Sequence, residues 1–121
     1  EYVILSKNFL VKSAIKAMAK AGVSEGYCLG KDNDFIGKCS LQHLLLVHQD
    51  DNLITHLMDE PVTLNHDASI MQAIEIASEF VGEAIPVINR ANNELTGVVS
   101  EADIFQAYLS TQNRIRDLEH G

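Results

Sequence analysis

Two polar residues with chemical potential, Ser100 and Asp103, stand three positions apart where an apolar segment gives way to an amphipathic one. Segment 95–99 has the composition of a strand, and the spacing of Ile104 and Tyr108 favours a helix directly after it. The pattern places a hydroxyl and a carboxylate at a helix N-terminus, where backbone N–H groups lack partners. Such a position attracts phosphate groups, and a nearby acid can bind ribose hydroxyls.

The same two residues also fit a purely structural role. Serine is a favoured N-cap, and an acidic residue three positions later completes a short capping box. We therefore expect Ser100 and Asp103 to cap their helix whether or not a ligand binds. An additional ligand role is favoured because this strand-to-helix stretch occurs twice in the chain.

An internal repeat organises the whole sequence. Each copy is predicted as β-α-β-β-α, and one residue is added in the second copy's hairpin turn, where insertions cost little. The matched positions are Val3 with Val62, Leu5 with Leu64 and Ala14-Ile15 with Ala73-Ile74 at an offset of 59, and Gly37 with Gly97 and Ser40 with Ser100 at an offset of 60. We predict a first unit at 1–56, a second unit at 57–111 and a tail at 112–121.

Apolar periodicity and turn residues locate the elements of both units. The predicted strands are 2–5, 27–29, 35–39, 62–64, 84–88 and 95–99, and the predicted helices begin near 9, 41, 70 and 101. Pro86 lacks an N–H group, so its strand should lie at a sheet edge or have an open ladder there.

Two units of this size should pack against each other, because each buries little apolar surface alone. A pseudo-two-fold arrangement follows, with one cleft in each unit between the first strand and the strand-to-helix junction. Asp103 corresponds to His43 in the first unit, and a neutral imidazole cannot replace a carboxylate as a ribose ligand. If one cleft binds a ligand, we expect it to be the second.

Charge is distributed unevenly and limits the choice of partners. Residues 1–56 carry six lysines and six acidic residues, whereas residues 57–121 carry three arginines and eleven acidic residues, which gives the net charge of −8. An acidic half without lysine argues against nucleic acid and anionic membranes as partners. It also argues against a triphosphate near Asp103 unless a divalent cation accompanies it.

Other chemistries are not indicated. Cys28 and Cys39 lie in apolar strand segments, which favours buried thiols in a reducing compartment over metal binding. No catalytic Ser/His/Asp order, carboxylate pair or glycine-rich phosphate loop appears, so we expect no enzyme activity, no metal and no obligatory cofactor. No apolar run approaches the roughly 20 residues of a membrane span. Since the sequence starts at Glu1 without methionine, we expect a piece of a longer protein.

The chain resembles a tandem pair of CBS domains, also called a Bateman module. The resemblance is carried by the second unit in three segments, namely 61–64 (Pro-Val-Thr-Leu), 82–87 and 97–103, the last of which fits the family's Gly-h-h-Ser/Thr-x-x-Asp signature, with h an apolar residue. It implies an α+β fold of two β-α-β-β-α repeats packed about a pseudo-two-fold axis.

The resemblance also implies a function. CBS pairs bind adenosine compounds such as AMP, ADP and ATP in their clefts and commonly form homodimers through their helices. By carry-over, Ser100 and Asp103 would contact phosphate and ribose, while Thr63 and the backbone around Ile85 and Pro86 would border the base.

The first unit departs from the family pattern at two positions. His43 replaces the acid, and Tyr27 stands where the second unit has Pro86. Both departures argue against a second ligand, although core packing is the expected role of Tyr27.

The C-terminal segment suggests a host protein. Residues 107–109 and 113–121 are similar to the C-terminal ends of bacterial CLC-type chloride channels that carry CBS pairs. This similarity implies a cytoplasmic regulatory domain attached to a membrane transport domain of the inner membrane. The alternative is a structural dimerisation platform without a ligand, in which Ser100 and Asp103 only cap a helix.

Overall fold

The computed structural model describes residues 2–120. Glu1 and Gly121, the first residue of the predicted first unit and the last of the predicted tail, lie outside the described residues, as do the side chains of Asp117, Glu119 and His120. The elements are β1 (Ile4–Ser6), α1 (Val11–Ala21), β2 (Glu25–Leu29), β3 (Phe35–Ser40), α2 (Leu41–Leu44), β4 (Leu64–Asn65), α3 (Ile70–Ser78), β5 (Ile85–Asn89), β6 (Glu94–Val99) and α4 (Glu101–His120). The predicted order β-α-β-β-α, repeated once, is confirmed.

Each unit contains one three-stranded sheet with the same topology. The orders are β1-β2-β3 and β4-β5-β6, the first pair in each sheet parallel and the second antiparallel. Gly37 pairs with Cys28, and Gly97 pairs with Val87, with a register shift directly after Cys28 and after Val87. The matched registers confirm the offsets of 59 and 60 inferred from the sequence.

Proline at position 86 shortens the second sheet. Strand β5 is the central strand of its sheet, so the prediction of an edge position was wrong. The alternative prediction is confirmed, because the ladder between β5 and β4 is open at Pro86. In the first unit the amide of Tyr27 donates to the carbonyl of Val3 at 3.0 Å. Pro86 occupies the same position without an N–H, and β4 consequently has two residues where β1 has three.

Helix ends follow from local chemistry in the second unit but from tertiary contacts in the first. Ser69 and Gln72 form a capping box at the start of α3. Helix α1 begins after Leu10 without a side-chain cap, and the carbonyls of Asp51 and Gln49 accept from its first two amides instead. The last helix does not end with the predicted second unit at residue 111 but continues through the tail to His120. None of the helices in residues 2–120 combines the length and apolarity needed to cross a membrane.

Three apolar clusters hold the molecule together. One lies inside each unit, and the third lies between the two sheets, where Tyr27 and Leu29 of β2 meet Ile88 of β5 and Leu95 of β6. The hairpin turns also meet, since the amide of Phe35 donates to the Asn93 carbonyl at 2.9 Å. The predicted sheet-to-sheet packing of the two units is therefore confirmed.

Both thiols lie in the core of the first unit, as predicted. Cys28 and Cys39 have no exposed surface, and burial raises the pKa of Cys28 to about 11 and that of Cys39 to about 12. A protonated, inaccessible thiol is a poor nucleophile.

We accordingly predict slow alkylation of the native protein. At pH 8, iodoacetamide should modify Cys28 and Cys39 at least about 100-fold more slowly than it modifies the urea-unfolded chain, because the reagent must wait for an opening of the core. Mass spectrometry over time gives both rates. Comparable rates for the folded and unfolded chains would contradict this burial.

Candidate functional site

The strand-to-helix junction of the second unit has the predicted capping geometry. The Ser100 amide donates to Asp103 Oδ2 at 3.0 Å, and the Asp103 amide donates to Ser100 Oγ at 3.1 Å. The hydrogen bond from the Ser100 amide, followed by that of the Ser100 hydroxyl, holds the pKa of the Asp103 carboxyl below its usual range. The structural part of the prediction is confirmed, and Asp103 is anionic at neutral pH.

Ser100 and Asp103 also border a cavity of about 280 Å³ between the two units, which we call the inter-unit cavity. Its position differs from the cleft expected inside the second unit, because the opposite side is formed by the first unit. The lining residues are Tyr2, Val23, Glu25 and Tyr27 from the first unit and Glu83, Ala84, Val98, Ser100 and Asp103 from the second.

The other predicted ligand-binding residues do not line this cavity. Ile85 and Pro86 are buried, and Thr63 is half-buried. We expected Pro86 to lie beside the ligand. Tyr27, the equivalent residue of the first unit, lines the cavity instead. The structure thus brings together Ser100 and Asp103 but not Thr63, Ile85 and Pro86, whose ligand role stays a prediction.

Two tyrosines form the aromatic part of the lining. Their rings meet edge to face with centroids 5.8 Å apart. Tyr27 is 2% exposed, and burial raises the pKa of its hydroxyl, which therefore stays neutral. Tyr2 is 40% exposed and offers an aromatic surface at the rim, of the kind on which a planar base can stack.

The electrostatic character of the cavity is acidic. Glu25, Glu83 and Asp103 contribute three carboxylates. A partial counter-charge comes from Lys38, which is 2% exposed and lies 3.0 Å from Glu25 Oε1. The Lys38 ammonium also donates to the Ala84 carbonyl at 2.8 Å, so it joins the first unit to the second.

A second polar link between the units centres on Glu83. Its carboxylate accepts from the amide of Ser24 at 2.9 Å and from the Ser24 hydroxyl, while its own amide donates to Glu25 Oε1 at 2.9 Å. Hydrogen bonding by the Ser24 hydroxyl, followed by that of the amide, lowers the pKa of Glu83. Sequence reasoning missed Glu25, Lys38 and Glu83, and the only signal was one lysine within the apolar strand 35–39.

This link should make the stability of the fold depend on pH. Because the pKa of Glu83 is lower in the folded than in the unfolded chain, its stabilising effect is present at neutral pH and is lost as the pH falls through the folded value. The urea midpoint should fall between pH 7 and pH 3, and by less in Glu83→Gln than in the wild type. An equal fall in both proteins would contradict this role of Glu83.

Metal binding finds no support in the geometry. Among residues 2–120, no group of three His, Cys, Asp or Glu side chains is arranged to hold a metal ion. His43, the first unit's counterpart of Asp103, lies 5.8 Å ring to ring from His56, and His56 Nε2 is 2.8 Å from Asp51 Oδ2. These contacts explain where His43 and His56 are held without invoking a ligand.

Comparison with known proteins shows what this two-unit fold is similar to. Residues 54–110, which include most of the second unit, match the CBS domain family. The CBS pair domain of a putative Mg²⁺ transporter from Shewanella oneidensis MR-1 superimposes with a TM-score of 0.81 at 16% identity, covering 93% of this chain and 67% of that one. Family match and fold likeness together support a tandem pair of CBS domains.

Two further similarities are to larger proteins. The cytosolic domain of the Mg²⁺ channel MgtE, in complex with ATP, matches with a TM-score of 0.75 at 15% identity, over 88% of this chain and 44% of that one. An A-adding tRNA nucleotidyltransferase from Aquifex aeolicus (strain VF5) is 26% identical over 107 residues, which cover 86% of this chain. The chain spans only 13% of the length of that relative.

Proposed function

We propose that this CBS pair is a regulatory module that binds an adenosine nucleotide in the inter-unit cavity. The observation that supports the proposal most directly is the Ser100–Asp103 capping box, which opens onto a cavity bordered by both units. Support also comes from the similar MgtE domain, which was solved with ATP. The proposal includes no catalytic role.

The lining favours a ligand with little net negative charge. Ser100 and the first amides of α4 suit a phosphate, Asp103 suits a ribose diol, and Tyr2 suits the base. Three carboxylates around the cavity repel an unaccompanied triphosphate. The volume, about 280 Å³, is close to the lower end of typical ligand pockets. AMP, or ADP or ATP with Mg²⁺, therefore fits better than free ATP.

Calorimetric titration of AMP, ADP and ATP, each with and without Mg²⁺, tests the proposal. Asp103→Asn keeps an oxygen that can accept from the Ser100 amide but removes the charge, so affinity should fall at least about tenfold, or 1.4 kcal/mol. The matched control is Asp67→Asn, an exposed acid outside this cavity, which should bind as the wild type does. Equal affinity of Asp103→Asn and the wild type would rule out the ribose assignment.

Regulation would follow from the position of the ligand between the units. A nucleotide that contacts both units favours one angle between them, and its effect equals its difference in affinity for the two arrangements, typically about 1–3 kcal/mol. We propose that this change reaches an attached membrane transport domain, with the module on the cytoplasmic side of an inner membrane. The chloride-channel host suggested by residues 107–109 and 113–121 stays a prediction, while the two solved structures named above belong to a putative Mg²⁺ transporter and to a Mg²⁺ channel.

A second candidate function is a dimerisation platform without ligand. One observation favours it, since α3 and α4 expose large apolar side chains: Met71, Phe105, Leu109 and Ile115. Sedimentation would then show a homodimer, and no adenosine compound would raise the melting temperature. Both functions are compatible with a homodimer, so ligand binding decides between them.

A further inference from the structure

The two units can be compared position by position, because their strand registers match. The inter-unit cavity therefore has a counterpart on the other side of the pseudo-two-fold axis, which we call the mirror cleft. Under this comparison Ser24 is the counterpart of Glu83, and Glu25 is the counterpart of Ala84. The same four residues therefore lie at the centre of both sides. The remaining lining residues differ between the sides and decide which side is open.

Small residues stand at two positions of the open side, beside Tyr2 and Tyr27. Val98 borders the inter-unit cavity, and Ala21 borders an adjoining hollow of about 190 Å³ that shares Tyr2 and Val23 with it. Neither Val98 nor Ala21 has a side chain long enough to reach across to the other unit.

Large residues stand at the same two positions on the mirror side. The counterpart of Val98 is Lys38, and the counterpart of Ala21 is Phe80. Lys38 is 2% exposed and Phe80 8%, and the Lys38 ammonium lies 5.0 Å from the centroid of the Phe80 ring. With its contact to the Ala84 carbonyl at 2.8 Å, the lysine side chain crosses from one unit to the other.

Gly82 lies at the exposed edge of the mirror cleft, beside Phe80 and Glu25. It is the counterpart of Val23, which borders the open cavity. A Cβ atom added at Gly82 would lie 2.7 Å from Phe80 Cζ and 3.3 Å from Glu25 Oε2, so even a methyl group does not fit. Atoms of Phe80 and Glu25 occupy the space beside Gly82, whereas the equivalent space beside Val23 belongs to the open cavity.

We propose that Lys38 and Phe80 are an internal occupant of the mirror cleft, so that the pair takes one ligand per chain, on the Ser100–Asp103 side only. The interface between the units is acidic and buried, so it needs a cation. The Lys38 ammonium, which belongs to the protein itself, supplies that cation. Because the count of ligands rests on the proposed function, the test includes a measurement that needs no nucleotide.

The ligand count is measured by equilibrium dialysis with radiolabelled AMP and Mg²⁺ at saturating concentration. We expect one AMP per chain in the wild type, with an affinity at least about tenfold lower in Asp103→Asn. Two AMP per chain would overturn the internal occupant. A result of no bound AMP would contradict the proposed function. The internal occupant would then be tested by the second measurement alone.

The second measurement is the accessibility of Lys38 to reductive methylation, followed by mass spectrometry. In the wild type Lys38 should stay unmodified while the exposed Lys12 reacts. Phe80→Ala should open the mirror cleft and raise the rate at Lys38 at least tenfold. The matched control is Phe9→Ala, which truncates a phenylalanine packed on the first unit's core and should leave Lys38 protected.

Three outcomes decide the result. Protection in the wild type and in Phe9→Ala with exposure in Phe80→Ala supports the occupant. Modification of Lys38 in the wild type, or equal rates in both variants, overturns it. If Phe80→Ala does not fold, Phe80→Leu provides the same comparison with a smaller hollow.

Discussion

Replacing Lys38 with methionine should lower the free energy of unfolding by about 3–5 kcal/mol, the cost typical of breaking a buried ion pair on one side. The substitution leaves the Glu25 carboxylate, whose side chain is 13% exposed, without the ammonium 3.0 Å away. It also removes the donor to the Ala84 carbonyl. Urea denaturation at pH 7, followed by circular dichroism, measures the loss.

Two controls isolate the buried charge. Lys12→Met removes one partner of the exposed pair Lys12–Asp50, 2.9 Å apart, and should cost less than about 1 kcal/mol. The double variant Lys38→Met/Glu25→Gln removes both charges and should recover part of the lost stability, because no uncompensated ion remains. A loss for Lys38→Met no larger than that for Lys12→Met would show that Lys38 does not stabilise the interface.

The fold could be predicted from the sequence largely because both repeats carry the same pattern of strands, helices and turns. Periodicity and turn residues located every strand, and the offsets of 59 and 60 reappear in the strand registers. The start of α1 was less predictable, because the carbonyls of Asp51 and Gln49 satisfy its first amides from about forty residues away. Local capping rules cannot detect such a partner.

The site was predicted only in part, and the reason is geometric. Ser100 and Asp103 follow from a local motif, and the structure places them beside a cavity between the units rather than inside the second unit. Which residues lie opposite depends on how one unit sits against the other, and a pattern inside one unit carries no such information. Tyr2 and Glu25 were therefore missed, and Thr63, which was expected to border the ligand, does not line the cavity.

Buried lysine at position 38 illustrates the same limit. In the sequence it is one charged residue on a strand, and strands often expose such residues to solvent. Only the approach of Ala84 and Phe80 from the other unit encloses the ion pair between Lys38 and Glu25. Its counterpart Val98 shows that the strand itself does not require a lysine.

Truncating Ile88 to alanine should cost about 2–5 kcal/mol, the range for removing a large aliphatic side chain from a core. Ile88 is 4% exposed and belongs to the cluster between the sheets, not to the core of either unit. The matched control, Ile54→Ala, changes a side chain that is 50% exposed and should cost less than about 1 kcal/mol.

The shape of the unfolding curve carries the stronger test of how the units depend on each other. A unit of about 60 residues is marginally stable alone, so weakening the interface should lower the midpoint of one cooperative transition rather than split it. Fluorescence of the tyrosines and circular dichroism should then give the same midpoint in Ile88→Ala. Two separated transitions would mean that each unit is stable by itself, and a ligand between them could alter their angle without altering their folding.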